Sequence, residues 1–482
     1  MWPAFCNPTS KQDKNLQIEL IRAMQCKTSQ VIVMKKATSF PVKRSEAAKC
    51  ASFFLAILFC LAILTGNASA EEKKFQWSTR LTVSEQYDDN VDLTPDKERD
   101  DWITRIGPGV TLTILTEKTP IKLDYDFAYT YYAQDTSDDR VAHTLTLTGL
   151  EGLPISEHLT LDLSDQLYIS DDPVEQDTEV TSVRRGRAKY YRNTATGSLD
   201  YIFGREDSLD VGFQHLLLIN DDPTVQDGQR YTPSAGITYW FNIHNGINLD
   251  FSYSRGLFDE TEGAISDDYR QYMGRATYTY RFSPRTQTTL FYNIDSFDYD
   301  EEVSTIQENY VVQSASLGVG HQFTEHTSAL VSAGFWLRDL DAGDNDSGFL
   351  GTVNLTHALE KLTFNLDGSS GYDQQFLQAE NLGFTRYYRA SATLNYQPLE
   401  KLTAVLSGFY SRDEYRERVI EDRDDDTWGG TAGLSYLLLP WLSTSLTYDY
   451  RQRDSTVSSE DYTDNRVTFS LVAFYLSEAK SF

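Results

Sequence analysis

Ile121-Lys-Leu-Asp-Tyr-Asp-Phe-Ala-Tyr-Thr-Tyr131 decides the fold. Its odd positions are Ile, Leu, Tyr, Phe, Tyr and Tyr; its even positions are Lys, Asp, Asp, Ala and Thr. Successive side chains of a strand point to opposite faces, so this stretch is a strand with one apolar and one polar face. The same alternation recurs in Phe75-Gln-Trp-Ser-Thr-Arg-Leu-Thr-Val83, Leu159-Thr-Leu-Asp-Leu-Ser164 and Ile247-Asn-Leu-Asp-Phe-Ser-Tyr-Ser254. It returns in Leu362-Thr-Phe-Asn-Leu-Asp367 and Leu442-Ser-Thr-Ser-Leu-Thr-Tyr-Asp-Tyr450. From Phe75 onward no 3.6-residue pattern of helix length competes with it.

The connections between these runs alternate between two kinds. One is short: Glu117-Lys-Thr-Pro120, Gly204-Arg-Glu-Asp207, Ser283-Pro-Arg285, Thr324-Glu-His326, Leu399-Glu-Lys401 and Leu439-Pro-Trp441. The other is longer and acidic, at 135–140, 171–181, 220–228, 259–268, 300–305, 339–348, 413–426 and 454–464. Tight and long connections alternate when antiparallel strands close into a barrel with one trimmed end and one looped end. Ten long and nine short connections give about twenty strands, with eighteen as the alternative count. The stretches 181–194 and 351–362 are the hardest to parse.

Alternation alone also fits a soluble sandwich. A sandwich of stacked sheets would have apolar inner faces and shorter strands. Here a polar face runs through nearly every strand, and many segments exceed the ~9–11 residues that a tilted strand needs to cross hydrocarbon. Aromatic residues gather near strand ends: Tyr129, Tyr131, Tyr239-Trp240-Phe241, Tyr278 to Phe282, Tyr387-Tyr388, Trp428 and Trp441. Amphipathic rings favour the membrane–water interface. Backbone amides in lipid must all be paired, so the strands must close. The reading is an all-β protein: a transmembrane antiparallel up-and-down β-barrel with short periplasmic turns and longer acidic extracellular loops.

The first seventy residues differ. They hold all four cysteines (Cys6, Cys26, Cys50 and Cys60) and the one long apolar run, Phe53-Phe-Leu-Ala-Ile-Leu-Phe-Cys-Leu-Ala-Ile-Leu64. Lys35, Lys36, Lys43, Arg44 and Lys49 precede that run, and Ala68-Ser69-Ala70 follows it. This pattern predicts a secretory signal peptide over 34–70, cut near Ala70. The run is short for a membrane anchor of about 20 apolar residues. Residues 1–33 read as a mis-assigned N-terminal extension, and 71–482 as an outer-membrane barrel. Removing 1–70 leaves 34 Lys+Arg against 68 Asp+Glu, a net charge near −34. Such a chain does not bind nucleic acid by neutralising phosphates. Its richness in Tyr, Phe, Leu and Val excludes disorder.

The first strand ends in Glu85-Gln-Tyr87-Asp88-Asp89-Asn90-Val91. This resembles the opening motif of the putative β-barrel porin 2 family of outer-membrane proteins. Members are often found beside genes for exopolysaccharide synthesis or for the PEP-CTERM export system. The resemblance implies a porin-like channel or scaffold serving exopolysaccharide or surface-protein export, and it implies no catalytic residue. The alternative is a surface-binding barrel with a plugged lumen, holding cations, lipopolysaccharide or a partner. The final strand, 465–476, is aromatic near its finish, as barrel assembly machinery requires, but Ser-Glu-Ala-Lys-Ser-Phe482 follows it.

Alternation assigns a lumen lining to Arg80, Arg105, Lys122, Asp124, Asp126, Asp162, Asp200, Asp250, Arg275, Arg281, Asp295, Arg338, Asp367, Arg389, Asp449 and Arg451. Such residues either solvate a wet interior or bias ion passage. Asp171-Asp172, Asp221-Asp222, Asp267-Asp268 and Asp424-Asp425-Asp426 put carboxylate pairs in the loops, where divalent cations relieve their repulsion. These cations would also bridge the loops to lipopolysaccharide phosphates. One basic patch, Arg184, Arg185, Arg187, Lys189 and Arg192, reads as a counter-charge to the acidic loops or a grip on lipid phosphate or an anionic sugar polymer. The seven histidines form no Ser/His or Asp/His pattern, so an enzyme is not expected. No His/Cys ligand cluster exists and no cofactor is expected.

Overall fold

The computed structural model describes residues 74–96, 98–115, 120–148, 153–172, 187–222, 225–259, 266–301, 307–341, 343, 345–378, 382–417, 423–478 and 480–481. The proposed leader and extension, 1–70, lie outside them, as do Arg184 and Arg185. The strands, in chain order, are β1 (Lys74–Asp88), β2 (Asp101–Leu115), β3 (Ile121–Tyr132), β4 (Arg140–Thr148), β5 (Leu153–Pro154), β6 (Leu159–Ser170), β7 (Tyr190–Ile202), β8 (Ser208–Asn220), β9 (Gly228–Trp240), β10 (Asn245–Phe258) and β11 (Tyr269–Ser283). They continue as β12 (Thr286–Tyr299), β13 (Tyr310–Thr324), β14 (Thr327–Leu340), β15 (Asp346–Leu359), β16 (Leu362–Gln375), β17 (Gly383–Leu399), β18 (Leu402–Tyr415), β19 (Arg423–Leu439), β20 (Leu442–Ser455), β21 (Tyr462–Leu476) and β22 (Lys480–Ser481).

Each long strand pairs antiparallel with the next, and β1 pairs with β21 from Ser78↔Leu476 to Asp88↔Arg466. The sheet is therefore a closed tube. Leaving out the two-residue pieces β5 and β22, its wall has twenty strands. Of the two difficult stretches, 351–362 is described throughout and 181–194 only from 187 onward. Residues 351–362 hold the end of β15, the turn at Glu360-Lys361 and the first residue of β16. Residues 190–194 open β7. Five connections at one end are two-residue turns, and four of these carry a register shift, at 281/283, 322/324, 396/399 and 437/439. The extra residue adds local twist where the chain must reverse tightly. The other end carries most of the longer loops, the exception being the stretch between β4 and β6 that holds β5, and this marks it as the extracellular rim.

Register separates the two faces. Leu81, Val83, Leu317, Phe335, Leu406 and Leu446 point outward and are exposed. A surface this apolar suits hydrocarbon and is costly in water. Trp77, Tyr129, Tyr131, Tyr239, Phe241, Tyr278, Phe282 and Trp441 add exposed rings to this face. The aromatic clusters do not all belong there, however. Trp240 alternates inward, where the Arg281 guanidinium lies 3.5 Å from its ring centre. Tyr387 also turns inward, under Arg389.

Candidate functional site

The inward face is wet over its lower half and filled at its outer mouth. All sixteen charged residues assigned to the lumen lie on the inward register. Arg80 on β1 reaches across β2 to Asp124 of β3 at 2.6 Å and to Asp126. Asn354 donates to Asp367, and Thr431 to Asp449. Arg281 meets Glu206 at the periplasmic rim. Cavities of about 350 Å³ line this lower lumen, one bounded by Gln287, Gly320, Asn354 and Thr356 and another by Thr352, Asp367, Ser369 and Ser391.

One arc of the lumen is acidic. Asp200 faces Asp210, Asp210 faces Gly236, and Gly236 faces Asp250, so three carboxylates share one hydrogen-bonded rung. The Asp210 and Asp250 oxygens converge over Gly236, 2.4 and 2.8 Å from where a Cβ would stand. Asp162 joins from the neighbouring rung, with Ser198 Oγ donating to Asp162 and Asp200 at 3.4 and 3.5 Å. Arg275 follows Asp250 on the same rung.

The outer mouth is closed on one side by aromatic rings. Phe297 stacks on Tyr269, Tyr310 and Phe376, with centroids 4.5, 5.2 and 5.5 Å away. Tyr372 stacks on Phe384 at 5.7 Å, and both pack against Trp336. Tyr372 and Phe384 stand on the outward parity of β16 and β17. They nevertheless pack inside, because the top of this hairpin bends over the rim. Tyr372 accepts a hydrogen bond from Asn293 on β12, across the lumen. The turn between the strands is shaped for this path: Leu377 has φ 59° and Gly383 φ 68°. The left-handed region suits glycine but costs a leucine. Leu377 reaches β9, where Gly228 admits it; a Cβ there would stand 2.7 Å from Leu377 Cδ2.

A second inward loop locks this plug. Glu417 is buried and paired with the buried Arg338 of β14. Its Oε2 also accepts from the Phe384 amide at 2.9 Å and the Tyr299 hydroxyl at 3.1 Å. The Arg338 guanidinium is sandwiched between the Tyr310 and Phe384 rings, 4.1 Å from each centre. Arg338 therefore touches the far wall through Glu417 and both halves of the plug through its flat faces.

The other side of the mouth is ionic. Asp88 lies between Arg187 (3.6 Å) and Arg466 (3.3 Å), and Arg466 also meets Asp464 at 2.7 Å. Arg187 donates to the Tyr132 hydroxyl. Arg423 and Arg453 flank Asp425, and Arg389 pairs with Asp413. Of the basic patch, Arg187 and Arg192 thus face inward and Lys189 sits over the Tyr191 ring. Asn90 binds the Thr463 and Thr94 carbonyls and takes the Thr94 amide. Asp89 receives both the backbone and side-chain N–H of Asn465 at 2.7 Å. Glu85 accepts from Thr104 and Tyr87 packs on Trp102. The motif at the end of β1 therefore stitches the first strand to the last. Among the described residues, no group of three or more His, Cys, Asp or Glu is disposed to hold a metal ion.

A closed tube with an apolar exterior, a polar lower lumen and a filled outer mouth is a porin-like β-barrel of the outer membrane. The family model described as putative beta-barrel porin 2 matches residues 157–474, and the chain belongs to that family. No curated protein sequence matches it. Solved structures similar to it include the ferric enterobactin receptor PfeA of Pseudomonas aeruginosa, at 11% identity and TM-score 0.47, covering 83% of this chain and 81% of that one. The siderophore receptor PiuA of Acinetobacter baumannii has 10% identity and TM-score 0.48, covering 84% and 82%. OprD of Pseudomonas aeruginosa has 10% identity and TM-score 0.35, covering 83% and 96%.

Proposed function

We propose that this barrel is a diffusion channel that favours small cations and rests with its outer mouth closed by its own plug. The rung Asp200–Asp210–Asp250, joined by Asp162, supports this reading most directly. Fixed carboxylates on a lumen wall lower the energy of a passing cation and raise that of an anion. Single-channel recording across a KCl gradient tests it. The expected reversal potential is that of a cation-selective pore. Asp200→Asn with Asp210→Asn and Asp250→Asn should move it toward zero. An unchanged potential in this variant would refute the role of the rung.

The filled mouth favours a second reading, a surface-binding barrel whose lumen never opens. Its loops would hold divalent cations and lipopolysaccharide. Recordings that stay silent even after the plug is loosened would select it. A narrower service to exopolysaccharide or surface-protein export follows from the family's association alone. Deleting the gene and measuring secreted polysaccharide tests that service; an unchanged yield removes it.

A further inference from the structure

On one stretch of the outward wall a carboxylate and an imidazole interrupt the apolar band. Along β6 the outward residues are Leu159, Leu161, Leu163, Asp165, Leu167 and Ile169. Along β8 they are Leu209, Val211, Phe213, His215, Leu217 and Ile219. Asp165 and His215 each stand mid-strand with two apolar outward neighbours on either side, unlike the outward His143, His321 and His357, which lie near strand ends.

These two residues are not independent. Asp165 is the register partner of Ala195, and Ala195 is the register partner of His215. An acid and a base therefore flank one methyl group on one rung, two strand spacings or about 10 Å apart. Asn193 donates to Asp165 at 2.6 Å, which holds the carboxylate in place. The His215 ring lies on Tyr231, centroids 4.8 Å apart, while its Nε2 is buried and makes no hydrogen bond. Gly197 follows Ala195 on the outward face of β7, so the wall between acid and base is a shallow trough. Ionisable groups facing lipid are costly and rarely kept without a partner. Small residues beside them let another backbone approach closely.

We propose that this wall is where a second copy of this chain docks. A two-fold axis along the membrane normal, passing near Ala195, makes an isologous contact. Seen from outside, each barrel carries its acid on one hand and its imidazole on the other. Face to face, the Asp165 side of each copy meets the His215 side of its partner, giving two reciprocal pairs from one patch. Asp165 and His215 stand near the middle of β6 and β8, away from the headgroups at the strand ends, and the patch is complementary to a second copy of itself.

The chain is suited to the test, because residues 71–482 contain no cysteine. Ala195→Cys and, as control on the opposite wall, Ala392→Cys are oxidised in intact outer membranes and run unreduced. Heat-modifiable migration confirms that each variant is folded. The expected result is a disulfide-linked dimer from Ala195→Cys, at least several-fold more abundant than from Ala392→Cys. Adding Asp165→Asn and His215→Gln should reduce it to the control level. The exchange Asp165→His with His215→Asp keeps the complementarity and should restore it. No dimer, equal dimer from both walls, or a cross-linked band of any mass other than twice the monomer overturns the proposal.

Discussion

At the residue scale, a buried ion pair holds the filling of the outer mouth in place. Glu417 and Arg338 are both buried, and each is the other's charge partner. Breaking such a pair leaves a buried charge unpaired and costs about 3–5 kcal/mol, whereas replacing both members with apolar side chains is often neutral. Glu417→Ala should therefore raise open probability in single-channel recordings. Glu417→Ala with Arg338→Met should return toward closure, because the stranded guanidinium is gone. If both variants open equally, the lock lies elsewhere. Asn90 acts at the seam instead. It makes three hydrogen bonds around the β1–β21 junction, two as donor to the Thr94 and Thr463 carbonyls and one as acceptor from the Thr94 amide. At about 1 kcal/mol per net bond, Asn90→Ala should cost roughly 2–4 kcal/mol. A lower temperature for loss of the folded band on a detergent gel would show it.

At the scale of elements, the β16–β17 hairpin is both wall and plug. Its lower half pairs within the barrel; its top carries Tyr372, Phe376, Leu377 and Phe384 across the lumen. Gly228 on β9 is the seat of Leu377. Gly228→Val should expel Leu377 and raise conductance while the barrel stays folded; unchanged conductance would mean that the hairpin does not block the path. The loop after β12 is tied down differently. Asp300 accepts both guanidinium nitrogens of Arg255, at 2.9 and 2.6 Å, and sits 3.2 Å from Arg270. The Arg255 hydrogen bonds hold the Asp300 carboxyl below the usual carboxylate range. A depressed pKa adds stability above the unfolded value that is lost as pH falls through the folded one. Exchange protection at the Asp300 amide, which donates to the Asp268 carbonyl, should therefore be steady from about pH 5 to 8 and fall only below about pH 4. Loss of protection near neutrality would contradict this anchoring.

At the scale of the whole molecule, closure through β1 and β21 leaves no exposed edge, so the folded tube should resist detergent until heated. Unboiled protein is expected to migrate faster than boiled protein on a dodecyl sulfate gel. A single position under both conditions would argue against the tube. Much of this architecture is legible in the chain itself. Period-two alternation assigned Arg80, Asp124 and Arg338 to the interior, because a strand's side chains have only two directions. Alternating connection lengths assigned the ends and gave twenty strands. The same rule misled at the rim. Trp240 and Tyr387 sit in aromatic clusters that read as outward girdle, yet they face inward, and Tyr372 and Phe384 have outward parity yet pack inside. A hint existed in β12, where Phe291, Phe297 and Tyr299 share the phase of Gln287, Asn293 and Asp295. Local order thus settles which face a side chain takes. It carries no measure of which distant strand stands opposite. The plug, the Glu417–Arg338 lock, the acidic rung and the Asp165–His215 rung all join residues brought together by closure and register. Those contacts exist only once the sheet has rolled up, and only the tertiary structure decided them.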